Sequence, residues 1–387
     1  MNARMGLPSR RVACALCGLM LLLSVAAWGR SEAFSPAPGS PYRVGARPSS
    51  VVTSDFNGDG HPDILVACSG SDSLSLLLGD GRGGFARRRS FPALRAPHLL
   101  AVGEFNGDRM PDVVVSAHDA NDVVVLLNSG RGNLVRQPPL AAFPGGKPHN
   151  HGLAVGDLNG DGCADITVGH QENGAIAVLL GDGLGGFRPA PDSLIAVGKA
   201  PYPHTLADLD GDGRLDLIVP DVQGNRIRAF LGNGSGGFRA LPSVSTGIAR
   251  PYFVIVRDLN ADGKADLIVT HDDTNRVAVL LGNGRGGFRR APSSPFDGRT
   301  ASWKGDVADL NGDGRPDLAL AGGGSVRIFD GDGRGGFRFR TTLRTRGESW
   351  DVILADMNED NRPDVVTPSG KGGVVHVFLT PRVKAAR

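Results

Sequence analysis

A nine-residue acidic pattern carries the clearest chemistry in this sequence. In DLNGDGRPD (Asp309–Asp317) an acid or an amide occupies positions 1, 3, 5 and 9, and a glycine occupies position 6. Calcium takes roughly six to eight oxygen ligands, and four such side chains with the backbone carbonyl of position 7 would supply most of them. The glycine lets the chain turn back around the ion. Because the clustered carboxylates would otherwise repel one another, the spacing predicts a bound cation.

The pattern occurs in seven repeats, about fifty residues apart. The loops of repeats one to seven are Asp55–Asp63, Glu104–Asp112, Asp157–Asp165, Asp208–Asp216, Asp258–Asp266, Asp309–Asp317 and Asp356–Asp364. Repeat seven has Asn361 at position 6, where asparagine tolerates the left-handed conformation. Repeat two has Glu104 at position 1 and Arg109 at position 6. The arginine brings a positive charge close to the ion, so this site is the doubtful one.

The loops predict about six calcium sites, with side-chain ligands at positions 1, 3, 5 and 9 and a carbonyl ligand at position 7. The predicted ligands are Asp55, Asn57, Asp59, His61, Asp63, Asp157, Asn159, Asp161, Cys163, Asp165, Asp208, Asp210, Asp212, Arg214, Asp216, Asp258, Asn260, Asp262, Lys264, Asp266, Asp309, Asn311, Asp313, Arg315, Asp317, Asp356, Asn358, Asp360, Arg362 and Asp364. The weaker set of repeat two is Glu104, Asn106, Asp108 and Asp112.

The loop has two other possible interpretations, an EF-hand and a turn without an ion. An EF-hand is excluded, because it needs a bidentate glutamate at position 12, where this chain has Leu320 in repeat six and Val66 in repeat one. The remaining alternative is a turn rich in Asp and Asn that holds no ion. Seven loops in register disfavour that alternative.

A second group of distinctive side chains recurs at a fixed distance in sequence before the loops. Six residues before the loops stand Ser49, His98, His151, Tyr202, Tyr252, Trp303 and Trp350, in a chain with only three tryptophans, three tyrosines and nine histidines. Further histidines follow the second apolar run of a repeat or precede the first. The sequence predicts a ligand-binding surface opposite the calcium loops, formed by His98, His118, His149, His151, His170, Tyr202, His204, Tyr252, His271, Trp303 and Trp350.

Three interpretations of this second group stay open. The bulky residues plug a central tunnel, or they bind a sugar, a peptide or a small molecule, or the histidines form a transition-metal or catalytic cluster. The sequence contains neither a His-Glu-x-x-His motif nor a nucleophile elbow. We therefore expect no enzymatic activity and no catalytic residues.

Short apolar runs between glycine turns must position both the acidic loops and the second group of side chains. The loop of repeat five lies between FVIVRD (Phe253–Asp258) and DLIVT (Asp266–Thr270), and RVAVLLG (Arg276–Gly282) leads into the turn GNGRGGF (Gly282–Phe288). Runs rich in β-branched and aliphatic residues predict strands. Four strands per repeat, seven times over, predict an all-β fold: a seven-bladed β-propeller with four-stranded antiparallel blades.

The seventh repeat lacks its fourth strand, because the chain ends soon after HVFLT (His376–Thr380). FSPAPGSPYRVGARP (Phe34–Pro48) parallels FRPAPDSLIAVGKAP (Phe187–Pro201), which leads from repeat three into repeat four. We therefore expect Tyr42–Ala46 to lie beside Val374–Phe378 as the outer strand of blade seven, which would cover a sheet edge. A spiral solenoid is the alternative, and it would leave this N-terminal half-repeat without a partner.

Residues 1–33 differ from the rest of the chain. Arg4, Arg10 and Arg11 precede an apolar run from Val12 to Trp28, and small residues follow it. This arrangement predicts a signal peptide at residues 1–33 and a propeller at residues 34–387, with an uncleaved anchor as the alternative. We expect a secreted, periplasmic or cell-envelope protein without a membrane span after cleavage.

The charge balance argues against a nucleic-acid partner. The formal net charge is +2, from 42 basic and 40 acidic residues. Residues 1–33 hold four arginines and one glutamate, so their removal leaves a net charge of −1. No stripe of lysine or arginine of the kind that binds nucleic acids remains. Cys68 and Cys163 stand at different repeat positions, so we expect no disulfide between them.

The stretch DFNGDGHPDILVACSGSDSLSLLLGDGRGGF (Asp55–Phe85) resembles the FG-GAP/VCBS class of propeller repeat, related to the repeats of integrin α-subunit propellers. The resemblance covers nearly all of the chain after residue 33. It implies a seven-bladed propeller with calcium in the loops between the first and second strands of the blades. It also implies an extracellular or envelope setting. It does not fix a ligand, because the family includes adhesins, lectins and domains attached to enzymes.

These observations lead us to expect a secreted calcium-binding propeller that acts as a ligand-binding or adhesion module. The expected partner is an extracellular glycan, protein or small molecule. The alternatives are an enzyme that uses the histidines and aspartates opposite the calcium loops, and a structural or assembly module.

Overall fold

Each repeat of about fifty residues folds into one antiparallel β-sheet. The computed structural model describes residues 33–143 and 149–381, and every regular element in these ranges is a β-strand. The strands form seven sheets, as runs of β-branched and aliphatic residues bounded by glycine turns predict. The predicted seven-bladed propeller with four-stranded blades is confirmed. It forms the compact unit Phe34–Thr380.

The first strand of each blade lies nearest the axis, where it packs against the first strands of both neighbouring blades. The ring of first strands is closed, because the first strand of blade seven packs against that of blade one. These strands are Pro48–Ser54, Pro97–Gly103, Asn150–Gly156, Thr205–Ala207, Pro251–Arg257, Gly305–Ala308 and Ile353–Ala355.

The second strand of each blade is buried along its whole length. Blades pack against it from both faces, which explains why these strands are almost continuously apolar. The second strands are Asp63–Cys68, Asp112–Ala117, Asp165–His170, Asp216–Asp221, Asp266–His271, Asp317–Gly322 and Asp364–Ser369.

The third strands are regular and the fourth strands are variable. The third strands are Ser73–Leu78, Asp122–Asn128, Ala175–Gly181, Arg226–Gly232, Arg276–Gly282, Ser325–Gly331 and Val374–Leu379. Three of the fourth strands are broken into two segments. In blade order they are Arg87–Pro92; Leu134–Arg136 with Leu140–Ala141; Phe187–Ala196; Phe238–Ala240; Phe288–Arg290 with Phe296–Asp297; Phe337–Arg344; and Ser35–Pro36 with Tyr42–Arg43.

The N-terminal part of the propeller supplies the outer strand of blade seven. Tyr42 pairs with Val375, and Arg43 pairs with Val374. An earlier segment, Ser35–Pro36, pairs with the far end of the same strand. The predicted closure is therefore confirmed, with one difference: the strand pairing of the predicted segment Tyr42–Ala46 is limited to its first two residues, because this outer strand is broken.

Apolar side chains fill the spaces between neighbouring blades. Phe56, at position 2 of the first loop, packs against Leu65 of its own blade and Leu100 of the next. The equivalent side chains are 5% exposed or less: Phe56, Phe105, Leu158, Leu209, Leu259, Leu310 and Met357. Each acidic loop is thus anchored in the core directly beside its first candidate ligand.

The predicted signal peptide, residues 1–33, lies outside the described residues except for Ala33. In the two described ranges, no helix is long and apolar enough to cross a membrane. Cys68 is buried and Cys163 is partly exposed, and both carry free thiols.

Candidate functional site

The last aspartate of each acidic loop fastens the loop to the end of the third strand. Asp63 Oδ2 accepts the amide of Phe56 at 2.9 Å, and its Oδ1 accepts the amide of Gly79 at 2.8 Å. The same pair of bonds recurs at Asp112, Asp165, Asp216, Asp266, Asp317 and Asp364. Burial raises the pKa of Asp63 to about 6. A cation beside this carboxylate would favour its ionised form.

The first aspartate of the loop gathers the backbone amides that follow it. Asp309 Oδ1 accepts the amides of Gly312 at 2.7 Å and Asp313 at 3.2 Å, and its Oδ2 accepts the amide of Gly314 at 2.8 Å. Both glycines adopt positive φ angles, +76° and +78°. This tight turn wraps the backbone of positions 4 to 6 around the carboxylate of position 1.

In one loop, that of repeat four, three carboxylates meet and their oxygens fit a hard cation. In repeat four, carboxylate oxygens of Asp208, Asp210 and Asp216 lie within 4.8 Å of one another. In repeat seven, Asp360 Oδ1 is buried and has no hydrogen-bond partner. Donors that are oxygens alone suit calcium better than a soft metal.

In repeats one, two and three, the asparagine at position 3 donates its Nδ2 hydrogen to the carboxylate at position 5. In repeat one, Asn57 Nδ2 lies 2.8 Å from Asp59 Oδ2. The bonds in repeats two and three are 3.1 and 2.8 Å long. These amide hydrogens partly satisfy the carboxylates of position 5.

Basic side chains at position 7 neutralise part of the loop charge from outside. Arg315 Nη2 lies 2.6 Å from Asp313 Oδ2, and repeats four and five have similar pairs at 3.4 Å. Such exposed pairs contribute little to stability. The carboxylates of positions 1 and 9 accept backbone amides instead, as Asp309 and Asp317 do.

The loop of repeat two departs from the others. In the other six repeats, the amide of position 6 donates to the carboxylate of position 1 at 2.7 to 2.9 Å. Glu104 receives the amides of Asn106 and Gly107, and its described bonds include none from Arg109. Arg109 nevertheless adopts the left-handed conformation, with φ +67°. The site predicted to be doubtful is therefore the one whose geometry differs.

Position 4 of the loop is a second left-handed position, which the sequence prediction overlooked. Gly58 has φ +76°, and even Ala261 and Glu359 adopt +59° and +58° there. The sequence Asn-Gly-Asp-Gly, which repeats one, three and six have at positions 3 to 6, is a recognisable turn signal for it.

The second group of predicted residues forms a ring at the opposite end of the first strands. Six residues separate Ser49 from Asp55, which is about 20 Å of extended chain. Neighbouring rings contact one another in blade order. The centroid distances are 6.3 Å for His98–His151, 4.6 Å for His151–Tyr202, 4.8 Å for Tyr202–Tyr252, 5.1 Å for Tyr252–Trp303 and 4.6 Å for Trp303–Trp350. Ser49 Oγ lies beside the first of these residues, 3.2 Å from the carbonyl oxygen of His98.

These seven residues line a cavity of about 810 Å³, which we call the axial cavity. The rest of its lining is Arg47, Pro48, Ser69, Ala96, His118, Asp119, Glu348, Gly370 and Lys371. Of the seven ring residues only His151 is buried, at 8% exposed. Residues that merely plugged a tunnel would be buried together and would leave no such cavity.

Polar atoms on the aromatic side of the axial cavity have no protein partner. Within the described part of the chain, the hydroxyls of Tyr202 and Tyr252 and the indole nitrogens of Trp303 and Trp350 make no hydrogen bond. Burial raises the pKa of both tyrosines, so their hydroxyls stay protonated and can donate. Tyrosine and tryptophan usually pair these groups when they are buried, so a ligand in the cavity would find four of them available.

Histidines form the other side of the axial cavity. Ring centroids of His118, His149 and His151 lie 4.6 to 4.8 Å apart. Burial, with smaller effects from neighbouring histidines, lowers the pKa of His151 to about 3. Burial, with the charge of Lys304, lowers the pKa of His98 to about 4. Both imidazoles are therefore neutral at neutral pH and offer a nitrogen lone pair.

Four of the predicted histidines do not line the axial cavity. His149 lies beside it, in contact with His118 and His151, and the other three are packed elsewhere. His170 is buried and its Nε2 lies 3.1 Å from Asn121 Oδ1. His204 and His271 are buried too, and each pairs with a threonine hydroxyl, at 2.7 and 2.8 Å. The predicted common surface therefore does not hold for these three residues, which pack inside the blades.

Charged residues at the mouth of the axial cavity were not predicted. Arg47 and Glu348 line the cavity, and each stands two residues before a ring residue. His149 occupies the same position in repeat three. These side chains could have been predicted by comparing, across the repeats, the position two residues before each ring residue.

The sequence and the fold were compared with those of known proteins. The family described as FG-GAP-like repeat matches residues 55–115, 104–168, 164–219, 258–320 and 309–367. These matches together cover more than half of the chain. No curated protein sequence matches it significantly.

Several solved structures share the fold. BBS1N, in a complex with ARL6DN, has a TM-score of 0.62 at 14% identity, over 90% of this chain and 98% of that one. A lectin from Agrocybe aegerita that recognises non-reducing terminal N-acetylglucosamine has a TM-score of 0.54 at 21% identity, over 76% and 80%. Virginiamycin B lyase from Staphylococcus aureus has a TM-score of 0.60 at 13% identity, over 89% and 98%. At such identities these likenesses show the fold alone.

Proposed function

Because the chain belongs to the FG-GAP repeat family of β-propellers, we propose that it is a ligand-binding propeller whose axial cavity takes a terminal sugar residue or a short saccharide. One observation carries the proposal. Seven residues in one register surround a cavity of about 810 Å³, and four of them are aromatic rings with polar atoms that no described residue satisfies.

The composition of the cavity favours a ligand with both an apolar face and hydroxyl groups. Aromatic rings stack on the apolar faces of sugars, and tyrosine and tryptophan add hydrogen bonds at their edges. The cavity falls in the range of roughly 300–1,000 Å³ that small-molecule sites occupy. A concave site of this size suits a small ligand better than a flat protein surface.

The structural neighbours are compatible with such a role. The Agrocybe aegerita lectin recognises a terminal N-acetylglucosamine, and BBS1N was solved with a protein partner. Propellers of this shape thus serve both glycan and protein binding, and the concave cavity is what favours the glycan here. A role in adhesion would follow if that glycan lies on a cell or a matrix.

We propose binding rather than catalysis because the sequence contains no recognisable catalytic motif. We also propose calcium as the ion of six acidic loops, in which positions 1, 3, 5 and 9 and the carbonyl of position 7 would hold it. Bound calcium supplies a fixed positive charge between the carboxylates. A secreted or cell-envelope location fits both the predicted signal peptide and calcium-dependent loops.

Binding should be screened on calcium-loaded protein with a glycan array and then measured by calorimetry with the sugar that binds. The double variant Trp303→Ala with Trp350→Ala should weaken binding at least about 100-fold, because it removes two stacking surfaces. Asp313→Ala, at the far end of the blade, is the matched control and should bind normally when calcium is present. If the tryptophan variant loses stability but still binds, the two side chains are packing residues and the site lies elsewhere.

A further inference from the structure

Three histidines beside the axial cavity bring their ring nitrogens unusually close together. Nitrogen atoms of His118, His149 and His151 all lie within 4.8 Å of one another. The Nε2 atoms of His118 and His149 are only 3.2 Å apart. His118 and His151 line the cavity, and His149 contacts both of them.

Two carboxylates determine which nitrogen of each ring carries the proton. His118 Nδ1 lies 2.6 Å from Asp119 Oδ1, and His149 Nδ1 lies 3.2 Å from Glu172 Oε1. An ionised carboxylate only accepts hydrogen bonds, so both Nδ1 atoms must donate. In the neutral rings both Nε2 atoms then carry lone pairs, and these face each other at 3.2 Å. Such an arrangement is stable only with a positive charge between the two nitrogens.

The spacing of the two nitrogens matches a metal ion. Zinc–imidazole bonds are about 2.0–2.1 Å long, so a tetrahedral angle places two nitrogen ligands about 3.3 Å apart. The observed 3.2 Å agrees with this value. A carboxylate on the far nitrogen of a ligating histidine is also the usual arrangement, because it fixes the tautomer and raises the basicity of the ligand.

We propose that His118, His149 and His151 form a site for one divalent transition-metal ion such as zinc. His118 and His149 supply Nε2 directly, and a side-chain rotation brings His151 to the same ion. Three protein ligands leave a fourth position open to the cavity, as in zinc sites that bind a small molecule. This site is separate from the acidic loops and does not depend on the proposed sugar binding.

The competing explanation is a proton shared between His118 and His149, which would make one ring an imidazolium. The two explanations differ in what they predict for added metal. A shared proton leaves no site of high affinity, whereas a preformed metal site binds one ion and releases the proton.

Zinc binding should be measured by calorimetry on the purified protein, stripped of transition metals and kept in excess calcium so that the acidic loops are occupied. We expect one zinc ion per chain with micromolar or tighter affinity, and a loss of about 100-fold or more in His118→Ala and in His149→Ala. Asp119→Asn should weaken zinc about tenfold, because Asp119 only orients His118. His376→Gln, far from the cluster, is the control and should bind as the natural chain does.

A second measurement needs no variant and so survives any folding defect. In the natural protein, the imidazole ¹⁵N resonances of three histidines should move on addition of one equivalent of zinc, and two of these rings should keep a protonated Nδ1. Binding weaker than about 100 µM, or zinc that binds equally well without His118 and His149, would overturn the proposal. So would unmoved imidazole resonances.

Discussion

The loop end and the cavity end of the propeller share one sevenfold register but differ in uniformity. At the loop end, position 9 is an aspartate in all seven repeats, and each copy makes the same two backbone bonds. At the cavity end, the ring position is serine once and histidine, tyrosine and tryptophan twice each. The backbone bonds at the loop end are therefore the same in all seven blades, although the side chain at the ring position differs between blades.

This difference distinguishes the side chains that hold the blades together from those that line the axial cavity. A side chain that makes an identical bond in every blade holds the blades together, and it gains from being repeated. A small ligand has no sevenfold symmetry, so a cavity that binds one must be unequal around its ring. Here the tyrosines and tryptophans form one wall and the histidines form another.

Calcium removal should give the largest effect, because it acts on about six loops at once. An ion held at about 100 times its Kd stabilises the folded state by about 2.7 kcal/mol per site. With about six sites, a chelator should lower the melting temperature by about 10 °C or more. Differential scanning calorimetry with and without chelator measures this shift. An unmoved melting curve in calcium-depleted buffer would mean that the loops are turns without ions.

Mild acid should have a smaller effect on stability, through histidines that the fold buries. Burial lowers the pKa of His204 in the fold to about 4, below its ordinary value of 6.5. Its Nδ1 is buried without a hydrogen-bond partner, so a proton there would add an uncompensated charge. The unfolded chain therefore binds this proton more readily, and stability falls as the pH drops from about 6.5 towards 4.

For His204 alone this loss amounts to about 2 kcal/mol at pH 5. Urea unfolding at pH 7 and pH 5 measures it, and His204→Gln should reduce the difference between the two pH values. An equal loss in the variant would assign the acid sensitivity to other groups.

Substitutions in single loops should give the smallest changes in melting temperature. They test whether the loops of repeats two and six differ in calcium binding. Asp313→Ala removes a candidate ligand from a complete loop, and should lower the melting temperature in calcium by a few degrees. Asp108→Ala acts on the loop that lacks the position-6 bond, and should change it by less than about 1 °C. Equal shifts in the two variants would show that repeat two binds as well as repeat six.

The repeat register predicted the blades, the closure and the ring, because each follows from a spacing that recurs. It could not decide which way a side chain faces. His170 is the last residue of a second strand and is buried, whereas His118 stands one residue beyond the end of its second strand and reaches the cavity. One residue of shift turns a strand side chain to the other face, and a histidine alone gives no sign of that choice.

The contact between His118 of blade two and His149 of blade three was also beyond the sequence. Glu172 comes from the turn after the second strand of its repeat, and Asp119 follows His118 directly. Only the curvature of the blades brings these groups together with His151. Distances between loops of different blades depend on packing, which no local pattern encodes.

The pairing of Tyr42 with Val375 sets the time at which the ring can close. More than three hundred residues of chain separate the two partners, so all seven blades must be synthesised before the first residues of the propeller find their strand. Until then the growing chain is an open row of blades with an unpaired edge at each end. Any cellular step that must act on the open propeller is therefore limited to the time before Val374–Leu379 leaves the ribosome and pairs.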